Sequence, residues 1–265
     1  MHTTESGGAR LRYEVSGNPR GTLLVLANSL GSNLHMWDKV LPAFESRHQV
    51  LRFDMRGHGE SGVSPEPLTI EQLGRDVLRL LDEVGAHRAS VCGLSLGGVV
   101  ALWLGIHAPE RLHRLIFANT AARIGSREMW EQRIATVQDT GMSPLAVATL
   151  ERWFTPTYRA RHPEEMEQIR EMIAATDPRG YVACCAALRD ADLRAQIGAV
   201  EAASLVITGT HDPATPPSDG RALHAALRES RYVELDSSHL SAWECGDEFA
   251  AAVVQHLGSG EETDG

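Results

Sequence analysis

The stretch VCGLSLGG, residues 91–98, decides the fold. An apolar run followed by glycines occurs in several motifs that differ in function, and the residues between the glycines distinguish them. A dinucleotide-binding fingerprint, G-x-G-x-x-G, requires glycine at the position of Ser95. A phosphate-binding P-loop ends in Gly-Lys-Ser/Thr, which this stretch lacks. Residues 93–97 instead match G-x-S-x-G, in which a serine stands on a strained turn between a strand and a helix. The sequence therefore predicts that Ser95 is a nucleophile.

Short apolar runs alternate with helical patterns along the chain. The runs rich in Val, Ile or Leu that predict buried strands are LRYEV, TLLVLA, VLRFD, ASVCG, RLIFAN, SLVITG and RYVEL. Between them, TIEQLGRDVLRLLDEVG carries one apolar face and LGGVVALWLGIHAP is apolar nearly all round. This alternation predicts an α/β fold with a mostly parallel twisted sheet flanked by helices.

The alternation stops after Asn119 and resumes at SLVITG. The intervening sequence is helical in character and is divided by prolines. We therefore predict an α/β core at residues 1–122 and 190–258, and a helical cap at residues 123–189 that is inserted as a lid. Residues 259–265 lack apolar side chains, which predicts a flexible tail, either a true end or the start of a linker.

A serine hydroxyl is a weak nucleophile, so it needs a base and a carboxylate that orients the base. On this kind of fold the order is Ser, Asp or Glu, then His, with each partner in a loop after a late strand. Asp212 follows SLVITG and His239 follows RYVEL, so both are predicted catalytic residues. Other candidates for the carboxylate are Asp190, Asp219 and Asp236, and the position after the penultimate strand favours Asp212.

An oxyanion hole needs two backbone N–H donors. The first predicted donor is Leu96, directly after the serine, and the second is Leu30 in the loop NSLGSN, where Gly31 permits the turn. Two histidines near these motifs are ambiguous, His58 in DMRGHGES and His211 beside Asp212. We expect both to shape turns.

Charge and cysteine content limit the remaining function classes. The formal net charge is −10 and the pI is near 5.6, which disfavours a nucleic-acid partner. No apolar run approaches the about 18 residues that indicate a membrane span. The four cysteines include no C-x-x-C pair, so no metal site is expected and a reducing cytoplasm is the predicted location.

The motifs GLSLGG, DMRGHGES, GTHDPATPP and SSHLS together resemble those of the α/β-hydrolases. A closer resemblance is to the 3-oxoadipate enol-lactonases of the protocatechuate/β-ketoadipate pathway. It is carried by NSLGSNLHMWD, ANTAARIG, RWFTP and GYVACCAALRDADLR, and it extends roughly from Leu11 to His256. Most hydrolases of the fold have His-Gly where this chain has Asn28 and Ser29, and the Asn-Ser form is similar to the enol-lactonase subgroup.

The resemblance implies hydrolysis of a small anionic lactone, 3-oxoadipate enol-lactone, without a cofactor. The free carboxylate of such a substrate needs local positive charge in a protein this acidic. Between Arg123 and Arg170 there are seven arginines and seven acidic residues, so the insertion is neutral and the net negative charge lies in the core. Arg123 or Arg133 is the predicted carboxylate ligand, and Trp130 and Trp153 are predicted to line the pocket.

Two other functions fit the same residues. The chain could be a general carboxylesterase or another lactonase, because specificity on this fold lies in the lid. It could also be a non-catalytic ligand receptor on a hydrolase scaffold. The oligomeric state is left open by the sequence.

Overall fold

The computed structural model describes residues 2–64 and 67–258, so the tail predicted at 259–265 lies outside the described residues. Within these ranges the chain forms an eight-stranded sheet. Its strands are β1 (His2–Ser6), β2 (Ala9–Gly17), β3 (Leu23–Ala27), β4 (Gln49–Phe53), β5 (Ala89–Leu94), β6 (Leu112–Ala118), β7 (Ser204–Gly209) and β8 (Ser230–Leu235). Each of the seven runs predicted as strands overlaps one of β2–β8, and none extends more than one residue beyond the observed strand.

The sheet order is β1-β2-β4-β3-β5-β6-β7-β8. The β1–β2 and β2–β4 pairs are antiparallel and the other pairs are parallel. The predicted α/β fold with a mostly parallel sheet is therefore confirmed. The sequence pattern did not predict β1, because HTTES contains no apolar residue. It is an edge strand, joined to β2 by a two-residue turn in which Gly7 and Gly8 adopt positive φ.

Helices connect the strands. Those of the first half are α1 (Leu41–Glu45), α2 (Ile70–Glu83) and α3 (Leu96–His107). Those of the second half are α4 (Arg127–Thr140), α5 (Met142–Trp153), α6 (Pro156–Arg161), α7 (Pro163–Ala174), α8 (Pro178–Asp190), α9 (Pro217–Ala226), α10 (Ser241–Glu244) and α11 (Gly246–Gly258). The short 3₁₀ helices are Leu34–Trp37, Pro109–Arg111 and Arg194–Ala199. In α2 the buried side chains recur with helical spacing, as its apolar face predicted.

Helices α4–α8 lie between β6 and β7, in the segment predicted as a cap. The buried side chains of this segment, among them Trp130, Ile169 and Cys184, belong to the same hydrophobic cluster as the sheet. The segment is therefore packed onto the core, and its role as a separate lid stays a prediction. Among the described residues, no helix is both long enough and apolar enough to cross a membrane.

The parallel strands place their carboxyl ends at one edge of the sheet. The loops that follow β3, β5, β6, β7 and β8 leave from this edge. Ligands of open α/β sheets bind in the crevice outside the carboxyl ends of the strands. The residues that the sequence analysis singled out in these loops are therefore brought to the same side of the molecule.

Candidate active site

Ser95 lies in the turn between β5 and α3, with φ 57° and ψ −113°. A non-glycine residue with positive φ is uncommon, and such strain persists only where the surrounding structure holds it. The Ser95 N–H donates to the Ala118 carbonyl (2.9 Å), and the Ser95 carbonyl accepts from Val99 N–H (3.1 Å) and Thr120 Oγ1 (2.7 Å). The backbone is fixed on both sides, while the side chain lines a cavity.

Glycines flank Ser95 because other backbone atoms come very close to them. A Cβ on Gly93 would lie 2.1 Å from the Gly97 carbonyl oxygen, and a Cβ on Gly97 would lie 2.0 Å from the Ala27 carbonyl oxygen. Both distances are well inside van der Waals contact, which is about 3.5–4.0 Å. The G-x-S-x-G pattern therefore reflects the close packing of this turn against itself and against the end of β3.

His239 and Asp212 follow neighbouring parallel strands, β8 and β7. His239 Nδ1 lies 2.8 Å from Asp212 Oδ2, and both side chains are buried. An imidazole whose Nδ1–H donates to a carboxylate presents Nε2 as a base. The structure thus joins the predicted histidine and aspartate by a hydrogen bond, and it places Ser95 and His239 in the wall of the same cavity.

The Asp212 carboxylate accepts four further hydrogen bonds. Oδ1 accepts from Ala214 N–H (2.8 Å) and Thr215 N–H (3.1 Å), and Oδ2 accepts from Thr215 Oγ1 (2.8 Å) and Asn119 Nδ2 (3.1 Å). Burial acts to raise the pKa of Asp212, but His239 and the Thr215 donors outweigh it and hold the pKa below its usual value. The carboxylate is therefore ionised at neutral pH, as stabilisation of an imidazolium requires.

The other acidic candidates are engaged elsewhere. Asp190 is exposed and pairs with Arg127. Asp236 is exposed and pairs with His211 (2.8 Å), so His211 is turned to the surface although it adjoins Asp212 in sequence. Asp219 lies in α9 and lines a separate groove. Asp212 is thus the candidate that the structure connects to His239.

The two predicted oxyanion donors are the N–H groups of Leu96, which directly follows Ser95, and of Leu30, which lines the same cavity as Ser95. Leu96 is the first residue of α3, where N–H groups have no acceptor within the helix. Leu30 lies in the loop after β3 and lines the cavity. Among the residues that the structure describes, no acceptor binds the Leu30 N–H. The Gly97 N–H donates to the Asn28 carbonyl (3.0 Å), which ties this loop to the start of α3.

The cavity has a volume of about 130 Å³, which is small beside the roughly 300–1,000 Å³ of sites for drug-sized ligands. Core loops contribute Ser29, Leu30, Ser95, Pro213, Ala214 and His239. The segment between β6 and β7 contributes Ile124, Met129, Trp130, Arg133, Thr149, Arg152, Trp153 and Tyr181. The predicted pocket residues Trp130, Arg133 and Trp153 are therefore brought to Ser95.

Two guanidinium groups lie in this cavity, Arg133 and Arg152. Arg133 stacks on the Trp130 ring (5.1 Å to the centroid), and Arg152 donates to Thr149 Oγ1 (2.9 Å). In the part of the chain that the structure describes, no carboxylate lies within ion-pair distance of either one. Burial and the charge of Arg133 lower the pKa of Arg152, although Tyr181 partly opposes this. The cavity wall therefore carries positive charge that a ligand anion can neutralise.

Arg123, predicted as a carboxylate ligand, lies elsewhere. It lines a separate groove of about 690 Å³ together with Arg194 and Asp219, and its guanidinium is 3.6 Å from Asp192. The lining of that larger groove includes neither Ser95 nor His239. Arg123 follows β6 in a loop that leaves toward α9, so the carboxylate role expected for it is not supported and Arg133 is the better candidate.

The sequence analysis missed several residues at this site. Arg152 directly precedes Trp153, which was predicted to line the pocket. This adjacency was the only feature of the sequence that pointed to Arg152. Asn119 directly follows β6 at the same edge of the sheet as the predicted residues and has a φ of 44°, so its position after a strand was a usable signal. Tyr181 carried no local signal. Among the described residues, no group of three or more His, Cys, Asp or Glu side chains is arranged to hold a metal ion.

Comparison with known proteins identifies the family of the fold. Residues 22–244 match the family model of the alpha/beta hydrolase fold. The chain is 39% identical over 243 residues to 3-oxoadipate enol-lactonase 2 of Acinetobacter baylyi, covering 92% of this chain and 91% of the relative. It superposes on the crystal structure of the enol-lactonase from Burkholderia xenovorans LB400 with a TM-score of 0.95, at 42% identity, covering 97% of this chain and 99% of the other. A thermophilic esterase from Thermogutta terrifontis is also similar, with a TM-score of 0.89, 27% identity and 96% of each chain covered.

Proposed function

The chain belongs to the α/β-hydrolase family and is a hydrolase, and from this premise we propose that it hydrolyses 3-oxoadipate enol-lactone to 3-oxoadipate through an acyl-enzyme. The observation that carries the proposal is the cavity, in which Ser95 and His239 share a wall with Arg133 and Arg152. A nucleophile, a base and two unneutralised cations suit a small acyl substrate that also carries a carboxylate.

The proposed first step is attack by Ser95 on the lactone carbonyl. His239 Nε2 takes the hydroxyl proton as the Oγ–C bond forms, and the negative charge that develops on the carbonyl oxygen is stabilised by the N–H groups of Leu30 and Leu96. The ring C–O bond then breaks and expels an enolate, which takes the proton from the His239 imidazolium, becomes a ketone and leaves His239 neutral for the second step. The imidazolium that forms is stabilised by Asp212, whose carboxylate is buried and saturated with donors.

The second step is hydrolysis of the acyl-enzyme. Water attacks the ester carbon while His239 accepts its proton, and Ser95 Oγ leaves and recovers that proton. The product carries two carboxylates. Arg133 and Arg152 would hold the carboxylate that does not react, and their unpaired charge compensates for a protein whose net charge is −10.

The helical segment 123–189 acts in this proposal as the cap. It supplies the arginines and tryptophans of the cavity, and it is hydrogen-bonded to the loop of His239. Ser238 Oγ donates to the Arg152 carbonyl (2.7 Å), and Leu240 N–H donates to the Trp153 carbonyl (3.0 Å). The residues on both sides of His239 are therefore held by the same stretch of α5 that lines the substrate cavity.

A general carboxylesterase is the second candidate, favoured by the similarity to the thermophilic esterase. The same nucleophile, base and oxyanion donors would serve a simple ester. The small cavity and its two arginines distinguish the proposals, because a neutral ester gains nothing from the arginines.

The deciding measurement is kcat/KM for the enol-lactone and for p-nitrophenyl acetate. We expect the lactone to be the better substrate by at least 100-fold, since two arginines that each contribute one charge-assisted hydrogen bond of about 1.5–3 kcal/mol together contribute about 3 kcal/mol or more. Ser95→Ala should lower kcat by about 10³-fold or more, while the buried control Ser204→Ala keeps wild-type activity. A higher kcat/KM for the ester than for the lactone would contradict the proposed substrate. A kcat of Ser95→Ala within tenfold of the wild-type value would contradict the acyl-enzyme mechanism.

A further inference from the structure

His58 is the histidine of the DMRGHGES motif, and the mechanism above gives it no task. It is buried, with 1% of its surface exposed, behind the loop that carries Leu30. Its Nε2 lies 2.9 Å from the Gly31 nitrogen, and its Nδ1 lies 3.0 Å from the Arg56 carbonyl oxygen. A carbonyl oxygen only accepts, so Nδ1 carries the proton and Nε2 is left to accept from the Gly31 N–H. The ring therefore has one tautomer and is neutral.

We propose that His58 is a positioning residue for the hydrolysis: its neutral ring holds the Leu30–Gly31 peptide so that the Leu30 N–H points into the cavity as an oxyanion donor. The inference rests on the proposed function, because it assigns a reason to the geometry of a donor that the mechanism uses. His58 touches no substrate in this account. It acts through Gly31.

The orientation of Leu30 N–H follows from the two peptide units around it. The Ser29 carbonyl accepts from Ser32 N–H (3.2 Å) and Ser32 Oγ (2.7 Å). In a trans peptide the N–H points opposite to the carbonyl, so fixing the Ser29 oxygen aims the Leu30 N–H the other way. The next peptide is fixed by His58 through the Gly31 N–H. Without that bond, rotation of the Leu30–Gly31 peptide would change the backbone angles of Leu30 itself.

The loop is also held by residues of the helical segment. Gly31 has a φ of 84°, and a Cβ there would lie 3.1 Å from the ring of Tyr181 in α8. Thr176 Oγ1 donates to the Gly31 carbonyl (3.3 Å). Gly31 is thus contacted by His58 of the core at its N–H, by Thr176 at its carbonyl and by the Tyr181 ring beside its Cα. The position of the Leu30–Gly31 peptide therefore depends on the His58 acceptor as well as on the helical segment.

Two other polar side chains of the DMRGHGES motif, Arg56 and Asp54, form bonds elsewhere. The contact with the Gly31 N–H is therefore made by His58. The guanidinium of Arg56 forms a buried ion pair with Asp76 (2.5 Å). Asp54 Oδ1 accepts from Leu34 N–H (2.9 Å). Burial lowers the pKa of His58, although the Arg56 carbonyl and Asp54 oppose this. The neutral ring that the geometry requires is therefore also the form that its surroundings favour.

The test compares two substitutions of His58. His58→Asn keeps a donor near the Arg56 carbonyl but is too short to reach Gly31, whereas His58→Gln places an acceptor near the position of Nε2. We expect His58→Asn to lower kcat/KM by about 10- to 100-fold, as a displaced donor does, on both the enol-lactone and p-nitrophenyl acetate. His58→Gln should recover at least fivefold of that loss, and the exposed His87→Asn control should match wild type.

Binding of two ligands distinguishes a specific loss of the oxyanion donor from a general disturbance of the active site. Phenylboronic acid forms a tetrahedral adduct with a serine nucleophile, so its inhibition constant should rise in His58→Asn by the same factor as kcat/KM falls. The dissociation constant of 3-oxoadipate should stay within twofold of wild type. Equal loss in both His58 variants, a rate within twofold of wild type in His58→Asn, or product binding weakened as much as kcat/KM would each overturn the inference.

A measurement on the wild-type protein covers the case in which the variants do not fold. Nitrogen-15 NMR should show His58 with a protonated Nδ1 and a bare Nε2 that is coupled through the hydrogen bond to the Gly31 amide. A protonated Nε2 would overturn the inference. Failure of the proposed function would give a different result. If the wild-type protein prefers the ester, the lactone is not its substrate, but His58→Asn would still lower kcat/KM for the ester.

Discussion

Asn119 Nδ2 donates a hydrogen bond to Oδ2 of Asp212 (3.1 Å), the same oxygen that binds His239 Nδ1. The Asn119 amide also donates to the Ser238 carbonyl (3.2 Å), and its oxygen accepts from Ser241 Oγ. One buried side chain directly after β6 therefore connects the loops that follow β7 and β8. The relative position of the Asp212 carboxylate and the His239 base thus depends on a residue that follows a third strand.

Replacing Asn119 should lower activity without unfolding the protein. Asn119→Gly keeps the positive φ of 44° at low cost but removes the amide. We expect kcat to fall about 10-fold, because a buried carboxylate loses one donor worth about 1–2 kcal/mol, while KM changes little. Steady-state kinetics on the lactone check this. An unchanged kcat would mean that Thr215 and Ala214 suffice to orient Asp212.

The two cavity arginines should govern substrate binding more than the chemical step. Arg133→Met and Arg152→Met should each raise KM for the lactone by about 10- to 100-fold, the value of one charge-assisted hydrogen bond. Their activity on p-nitrophenyl acetate should stay within about threefold. Chemical denaturation should show that neither change destabilises the protein, because each removes one of two like charges in a shared cavity. Arg123→Met is the matched control and should leave KM unchanged.

The glycine after Ser95 should not tolerate a methyl group. Gly97→Ala places a Cβ 2.0 Å from the Ala27 carbonyl oxygen, so the turn must open. We expect a loss of about 3 kcal/mol or more in the free energy of unfolding, together with loss of activity. Gly198→Ala is the control, because no atom lies within 4 Å of the added Cβ. Equal stability of the two variants in urea would contradict the packing argument.

Stability should fall on moderate acidification, in part through His256. Burial and the charges of Arg114 and Arg231 lower the pKa of His256 from 6.5 to about 4. Between these values the unfolded chain binds a proton that the folded protein does not, so the free energy of unfolding decreases as the pH falls from about 6.5 to 4. His256→Gln should show a shallower decrease, measured by urea unfolding at successive pH values. Parallel curves for the two proteins would contradict this assignment.

Much of the fold was predictable because short stretches of sequence determine where most strands and helices form. Runs of Val, Ile and Leu at strand length predicted β2–β8, a helical period predicted α2, and a longer run that is apolar nearly all round predicted α3. Position after a strand singled out Ser95, Asp212 and His239. The edge strand β1 was not predicted because its sequence is polar. It is held by pairing with β2 and by a glycine turn, and neither feature produces an apolar pattern in the sequence.

The residues that sequence reasoning missed share a physical reason. Asn119 and Asp212 are 93 positions apart, and their contact depends on the pairing of β6 with β7. His58 meets Gly31 because β4 and β3 lie side by side, although 27 positions separate the two residues. The sequence did not indicate that Arg123 lines a separate groove, because the direction in which a loop leaves the sheet depends on the elements that pack around it.

The sequence by itself determined the strand-turn-helix that carries Ser95, the order of its partners along the chain and the alternating α/β pattern, because each depends on backbone geometry within a few residues. Tertiary structure alone decided which arginines share the cavity with Ser95, which side chains orient Asp212 and what holds the Leu30 loop. Those features arise where parallel strands that are distant in sequence end at one edge of the sheet and a helical segment packs over them. No local pattern encodes that convergence.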